Sequence, residues 1–177
     1  MSLAKRIYDQ ARLVGEFRLR SGEVSREYFD KYRFESDPAL LREVGEGLAA
    51  LLPEGVDALA GLELGGVPLA VAASQASGLP TVFVRKQAKT YGTCRLAEGA
   101  EVAGASLAVI EDVVTSGGQV VESCAALREL GASVAVVLCV VDREAGGREN
   151  IASAGLELRC LYTLSELQSA AGGAGAS

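Results

Sequence analysis

The chain has 177 residues, a length at which one domain is usual, and its 49% hydrophobic and 23% charged residues are ordinary for a globular fold. A net charge of −6 argues against a nucleic-acid surface, while the lack of any histidine removes serine–histidine–aspartate triads, cysteine–histidine dyads and histidine-bound metals. No apolar run approaches a membrane span and residues 1–10 show no apolar segment with a small-residue cleavage site, so the expectation is a cytoplasmic protein without a membrane partner.

Residues 3–14 place Leu3, Ile7, Ala11 and Val14 on one face, predicting an amphipathic helix ended by Gly15. Phe17-Arg18-Leu19-Arg20 and Glu27-Tyr28-Phe29-Asp30 bracket Ser21-Gly22 and predict a hairpin or two short paired strands. As core aromatics Tyr28 and Phe29 would be unremarkable, and Phe34 could equally be core. Asp37 before Pro38 opens a helix whose apolar positions, Leu40, Leu41, Val44, Leu48 and Leu51, continue to Pro53. A strand over 58–62 then runs into Glu63-Leu64-Gly65-Gly66-Val67-Pro68, a glycine turn before a helix over 69–77. Its amides could hold an anion, although a plain strand–helix turn is the alternative.

After the turn Gly78-Leu79-Pro80, a strand over 81–84 leads into Arg85-Lys86-Gln87-Ala88-Lys89-Thr90-Tyr91-Gly92-Thr93-Cys94-Arg95. Four cations in eleven residues are too many for a packed element, so a long mobile loop is predicted. Taken alone, such a stretch is a solvated charge run. Only a neighbouring anion site gives it a function.

The most informative stretch comes next. The apolar run over 107–110 suits a strand buried on both faces of a parallel sheet, and Glu111 and Asp112 stand at its carboxyl end, the edge at which open α/β sheets bind ligands. Val113-Val114 lead to Thr115-Ser116-Gly117-Gly118 and a helix over 119–130 stopped by Gly131. Free amides at a helix start attract phosphate, and glycines let the backbone come close. Paired carboxylates beside them suit a ligand that also carries hydroxyls or a divalent cation, which describes a phosphorylated sugar. The bland alternative is a strand end followed by a helix cap. Neither a Walker A ending nor a dinucleotide glycine fingerprint is present.

Residues 134–141 form a strongly apolar strand followed by Asp142-Arg143-Glu144 and Ala145-Gly146-Gly147, so charged groups again gather at a strand's carboxyl end, where Arg143 reads as a loop salt bridge to its acidic neighbours. A last strand is predicted over 156–161, a short helix over 165–170, and a disordered tail over 171–177. Cys124 and Cys139 fall in predicted cores as reduced packing residues, whereas Cys94 falls in the polar loop. Strands alternating with helices imply an α/β fold with a central, mainly parallel sheet flanked by helices.

Residues 109–121 resemble the phosphoribosyl-diphosphate signature of type I phosphoribosyltransferases, and the flanking segments over 14–165 resemble the orotate phosphoribosyltransferases among them. The resemblance implies a single phosphoribosyltransferase domain, with a helix and small N-terminal hood over 1–36 and an α/β core over 37–170. It implies transfer of the phosphoribosyl group of 5-phosphoribosyl 1-diphosphate (PRPP) to orotate, with Mg2+ as cofactor, in a homodimer with shared active sites. Glu111 and Asp112 would hold the ribose hydroxyls, and Val113, Val114, Thr115, Ser116, Gly117 and Gly118 would surround the 5-phosphate. Gly65, Gly66, Arg85, Lys86, Lys89 and Tyr91 would face the diphosphate, with Lys89 stabilising the leaving pyrophosphate. Tyr91 stands where many members have histidine. Arg143, Thr115, Arg20, Tyr28 and Phe29 would hold orotate, Arg143 gripping its carboxylate. A transferase for another base and a non-catalytic regulatory protein of the same fold are the rival readings.

Overall fold

In the computed structural model, which describes residues 1–18, 22–87 and 96–172, the chain runs α1 (Leu3–Ala11), β1 (Arg12–Arg18), β2 (Val24–Phe29), α2 (Lys31–Glu35), α3 (Pro38–Ala50), β3 (Ala58–Leu62), α4 (Gly66–Ser77), β4 (Thr81–Val84), β5 (Ala97–Gly99), β6 (Ser106–Val114), α5 (Gly118–Glu129), β7 (Ser133–Asp142), α6 (Gly147–Ser153), β8 (Leu158–Thr163) and α7 (Leu164–Gly172). The unbroken apolar runs become the centre of a six-stranded sheet, because strands covered on both faces need apolar side chains in both directions. Its order is β5-β4-β3-β6-β7-β8, with every pairing parallel except that of β4 with β5. β1 and β2 form a separate antiparallel pair.

Alternation along β6 divides the core in two. Ala108 and Ile110 face a layer that includes Ile7, Phe34, Leu48, Leu69 and Leu167 from α1, α2, α3, α4 and α7. Leu107 and Val109 face Cys124, Leu127 and Ile151 from α5 and α6. Cys124 and Cys139 are buried free thiols, as expected of packing residues, and burial pushes both well above the usual thiol range, Cys124 to about 11. No described helix is long and apolar enough to cross a membrane.

This winding fixes where a ligand can bind. From β3 the chain crosses through α4 to β4 on one side, whereas from β6 it crosses through α5 to β7 on the other. The two connections diverge between β3 and β6, which opens a crevice at their carboxyl ends. Both glycine-bearing loops singled out from the sequence leave the sheet at that crevice.

Several boundaries differ from the sequence expectation. The first helix stops at Ala11 rather than 14, because Arg12, Leu13 and Val14 pair with Phe29, Tyr28 and Glu27, and Gly15 sits in a bulge of that ladder. β6 continues past Ile110 to Val114 because β7 runs alongside it, pairing Val141 with Val113 and Asp142 with Val114. Glu111 and Asp112 are therefore strand residues and do not belong to a loop. The helix after Gly65 starts at Gly66 instead of 69. The short elements α2, β5 and α6 were not predicted, since none is long enough to display a period.

α3 and α4 cross at Gly45, where an added Cβ would lie 2.6 Å from the backbone carbonyl carbon and from the Cβ of Ala72. Gly45→Ala should therefore force the helices apart and destabilise the fold by about 1–3 kcal/mol. A urea midpoint equal to that of the unaltered protein would contradict this packing.

Candidate active site

The carboxyl end of β6 carries the acids. Asp112 is wholly buried; one of its oxygens, Oδ1, accepts from the Val113 amide at 2.5 Å, and Oδ2 forms an ion pair with the Lys31 ammonium. Glu111 is half-buried and its Oε1 accepts from the Asp112 amide at 2.9 Å. The β3–α4 loop passes directly over this pair. A Cβ on Gly65 would fall 1.6 Å from Asp112 Oδ2, and one on Gly66 would fall 2.2 Å from the Ile110 carbonyl oxygen. Glycine at both positions is what permits the approach. The Glu63–Leu64 peptide just before them is cis.

Lys31 comes from the first turn of α2, where Asp30 caps the helix by accepting from the Tyr32 amide. Glu35, one turn further on, is also buried. Burial, reinforced by Asp112, pushes Glu35 up to about 8 and Glu111 likewise to about 8. For Lys31, burial works against the charged form, but the contact with Asp112 outweighs it and the ammonium is raised above its ordinary value. Three carboxyl groups and one ammonium thus share a small volume at the end of β6.

The loop after β6 is shaped for an anion. Thr115 and Ser116 are exposed, Gly117 adopts φ 73°, and no side chain caps the first turn of α5, so its amides remain open. α6 braces the loop from behind. Asn150 Nδ2 donates to the Ser116 carbonyl at 2.8 Å, and Gly147 approaches so closely that a Cβ there would lie 2.5 Å from the Thr115 carbonyl oxygen. Val114 is buried, Val113 half-buried, and the Arg143 amide donates to the Val114 carbonyl at 2.9 Å.

Arg143 is exposed and lines a cavity of about 200 Å³ together with Tyr28 and Phe29 of the hood and the ion-paired Arg12 and Glu27. The cavity thus unites three of the predicted base-side residues. The alternative of a local salt bridge does not hold. Asp142 is taken by Arg148 at 3.0 Å, and Glu144 accepts from the Ser165 hydroxyl at 2.5 Å and the Ser165 amide at 3.0 Å, which together hold its carboxyl below the usual range. Tyr28 stacks obliquely on Phe17 at 5.6 Å and stays 46% exposed, whereas Phe29 leans on Phe34, whose side chain is core. Arg85 lines a second cavity of about 360 Å³ with Glu63 and Phe83, and the exposed Lys86 donates its amide to Glu63 Oε2 at 3.0 Å. Lys89, Tyr91, Cys94 and Arg20 lie outside the described residues.

Residues 33–155 match the model of the phosphoribosyl transferase domain. An orotate phosphoribosyltransferase of Nocardioides is 52% identical over 169 residues, spanning 96% of this chain and 94% of that protein. The chain belongs to the orotate phosphoribosyltransferase family. Among solved structures, Mycobacterium tuberculosis orotate phosphoribosyltransferase in complex with Fe(III) dicitrate superposes with a TM-score of 0.81 at 33% identity, covering 93% of this chain and 96% of that one. The same protein in complex with PRPP superposes with a TM-score of 0.77 at 30% identity over 94% and 96%. The expected fold, a type I phosphoribosyltransferase sheet with a small hood, is therefore the observed one.

Sequence reasoning missed Lys31, Glu35 and Asn150. The first two carry a faint signal, an i, i+4 charge pair directly after a capping Asp30. Nothing local marks Asn150.

Because the folded state favours neutral Glu35, its contribution to stability is complete below the unfolded value near 4.5 and is lost as pH rises towards about 8. Between about pH 5 and about pH 9 the unaltered protein should therefore lose more stability than Glu35→Gln, which does not titrate there. Denaturant midpoints of the two proteins falling in parallel across that range would contradict the assignment.

Proposed function

We propose that the chain transfers the phosphoribosyl group of PRPP to orotate, giving orotidine 5′-monophosphate and pyrophosphate in pyrimidine biosynthesis. The observation that supports this reading is the meeting at one crevice of two acids on β6 and the open amides of α5, while the guanidinium of Arg143, which neither neighbouring acid engages, lines a cavity against the hood. An anionic sugar with a diol fits the first two, and an anionic planar base fits the third.

In this reading Glu111 and Asp112 accept from the ribose hydroxyls, while the 115–118 loop holds the 5-phosphate. Gly65, Gly66, Arg85, Lys86, Lys89 and Tyr91 face the diphosphate. Arg143, with Thr115, Arg20 and the aromatic pair Tyr28 and Phe29, receives orotate. The bond from C1 to the diphosphate oxygen breaks as a ring nitrogen of orotate bonds to C1 and gives up its proton to the departing pyrophosphate or to water, and positive charge builds on the sugar. Catalysis then depends on stabilising the departing pyrophosphate and excluding water more than on a strong base.

Magnesium would fit this chemistry, because it binds through substrate phosphates with few dedicated protein ligands. When bound, it neutralises the diphosphate. Family membership supports a homodimer with shared sites, acting in the cytoplasm.

Loss of orotate absorbance on mixing the protein with PRPP and magnesium tests the activity; no loss with orotate, or equal turnover of adenine, would contradict it. Lys89→Ala should lower kcat by about 100-fold while leaving orotate affinity nearly unchanged, the scale of a lost oxyanion donor. Unchanged kcat would remove Lys89 from the transition state. Arg143→Ala should act differently, raising KM for orotate by about tenfold or more through loss of a charged hydrogen bond. If orotate is used equally well by that variant, the carboxylate contact is wrong.

A further inference from the structure

The ammonium of Lys31 is the one cation among the described residues that reaches the acids of β6, and nothing in the roles assigned above uses it. Its position is built by several features. Asp30 starts α2 by accepting from Tyr32, which places Lys31 in the first turn, and the i, i+4 spacing puts Glu35 on the same face. Phe34, wholly buried in the core, fixes the helix against the sheet. Lys31 keeps about a third of its side chain exposed, whereas its partner Asp112 has none. From the opposite side, Gly65 leaves just enough room for Asp112 Oδ2, so the carboxylate is confined between α2 and the β3–α4 loop.

A buried carboxylate costs several kcal/mol unless it is paired, and this one lies beside two further carboxyl groups, Glu35 and Glu111. An ionised carboxylate can accept about four hydrogen bonds. The Val113 amide donates to Oδ1 and the Lys31 ammonium pairs with Oδ2, which fixes the plane of the group.

We propose that Lys31 is a positioning residue of the sugar site: its ammonium, delivered by the hood-side helix α2, orients the Asp112 carboxylate for the ribose hydroxyls and supplies its countercharge. This rests on the reading of Asp112 as a ribose ligand. The base is not involved, so the effect is selective for PRPP. A helix that merely fastened the hood to the core would affect both substrates alike, because the hood also carries Tyr28 and Phe29.

The test uses the full-length protein with magnesium. Calorimetric binding of PRPP and steady-state kinetics with orotate are compared for the unaltered protein, Lys31→Met and Lys31→Arg, with Asp112→Asn as second background. Lys31→Met should weaken PRPP binding and raise its KM by about tenfold or more, the scale of a lost charge-assisted bond, with KM for orotate changed by less than about twofold. Lys31→Arg should restore most of the loss. In the Asp112→Asn background, Lys31→Met should add less than about twofold, since its partner is already gone. The proposal is overturned if Lys31→Met binds PRPP like the unaltered protein, if both Michaelis constants rise together, or if its effect is undiminished beside Asp112→Asn. Should Lys31→Met not fold, Lys31→Gln, which keeps a donor without the charge, is read by the same ratio of the two Michaelis constants. Failure of the functional reading is separate: the unaltered protein would then bind PRPP without consuming orotate.

Discussion

The close passage of the β3–α4 loop over the end of β6 is the constraint on which the rest of the site depends. Two peptides and a carboxylate are brought within van der Waals distance there, and they fit only because residues 65 and 66 have no side chain. That contact places the second glycine loop, the two acids and the anion-binding helix start at a single point of the sheet. The same crowding encloses Asp112, so its negative charge must be answered by a cation from outside the sheet, and Lys31 answers it.

Charge is therefore distributed in an instructive way over a chain of net −6. The edge proposed to receive an anionic sugar is itself acidic, with Glu35, Glu111 and Asp112 close together. In the proposed function phosphate is attracted instead by the backbone amides of α5 and by the segment beginning Arg85-Lys86, while Arg143 is kept for the base. Separating the two kinds of group lets carboxylates meet hydroxyls while amides and cations meet phosphate oxygens. Raised carboxyl values at Glu35 and Glu111 limit the repulsion that three ionised acids would otherwise produce.

The sequence made the central strands legible because burial on both faces writes an uninterrupted apolar run, and it made the loop over 115–118 legible because small residues between such a run and a helical period have few other uses. It also led to Arg143, Tyr28 and Phe29, which the fold gathers around one cavity. Asp112 was visible as a residue type, but its complete burial was not, since the cover comes from α2, a five-residue helix 77 positions or more away in the chain. Asn150 escaped notice for the same reason: its partner, the Ser116 carbonyl, is a backbone group that carries no mark in the sequence. The extension of β6 through the acids was likewise decided by its neighbour β7 and by nothing in its own residues. Local pattern recovers what local physics determines, and contacts between distant segments decide the rest.

The central claim, that adjoining acids and open amides at the β3–β6 crevice hold opposite ends of one activated sugar, is tested most directly by a crystal structure of the protein with PRPP and magnesium. The account predicts ribose hydroxyls on Glu111 and Asp112 and the 5-phosphate on the amides of residues 115–118. Density for the sugar elsewhere, or a phosphate at this loop with the hydroxyls turned away from both acids, would contradict it.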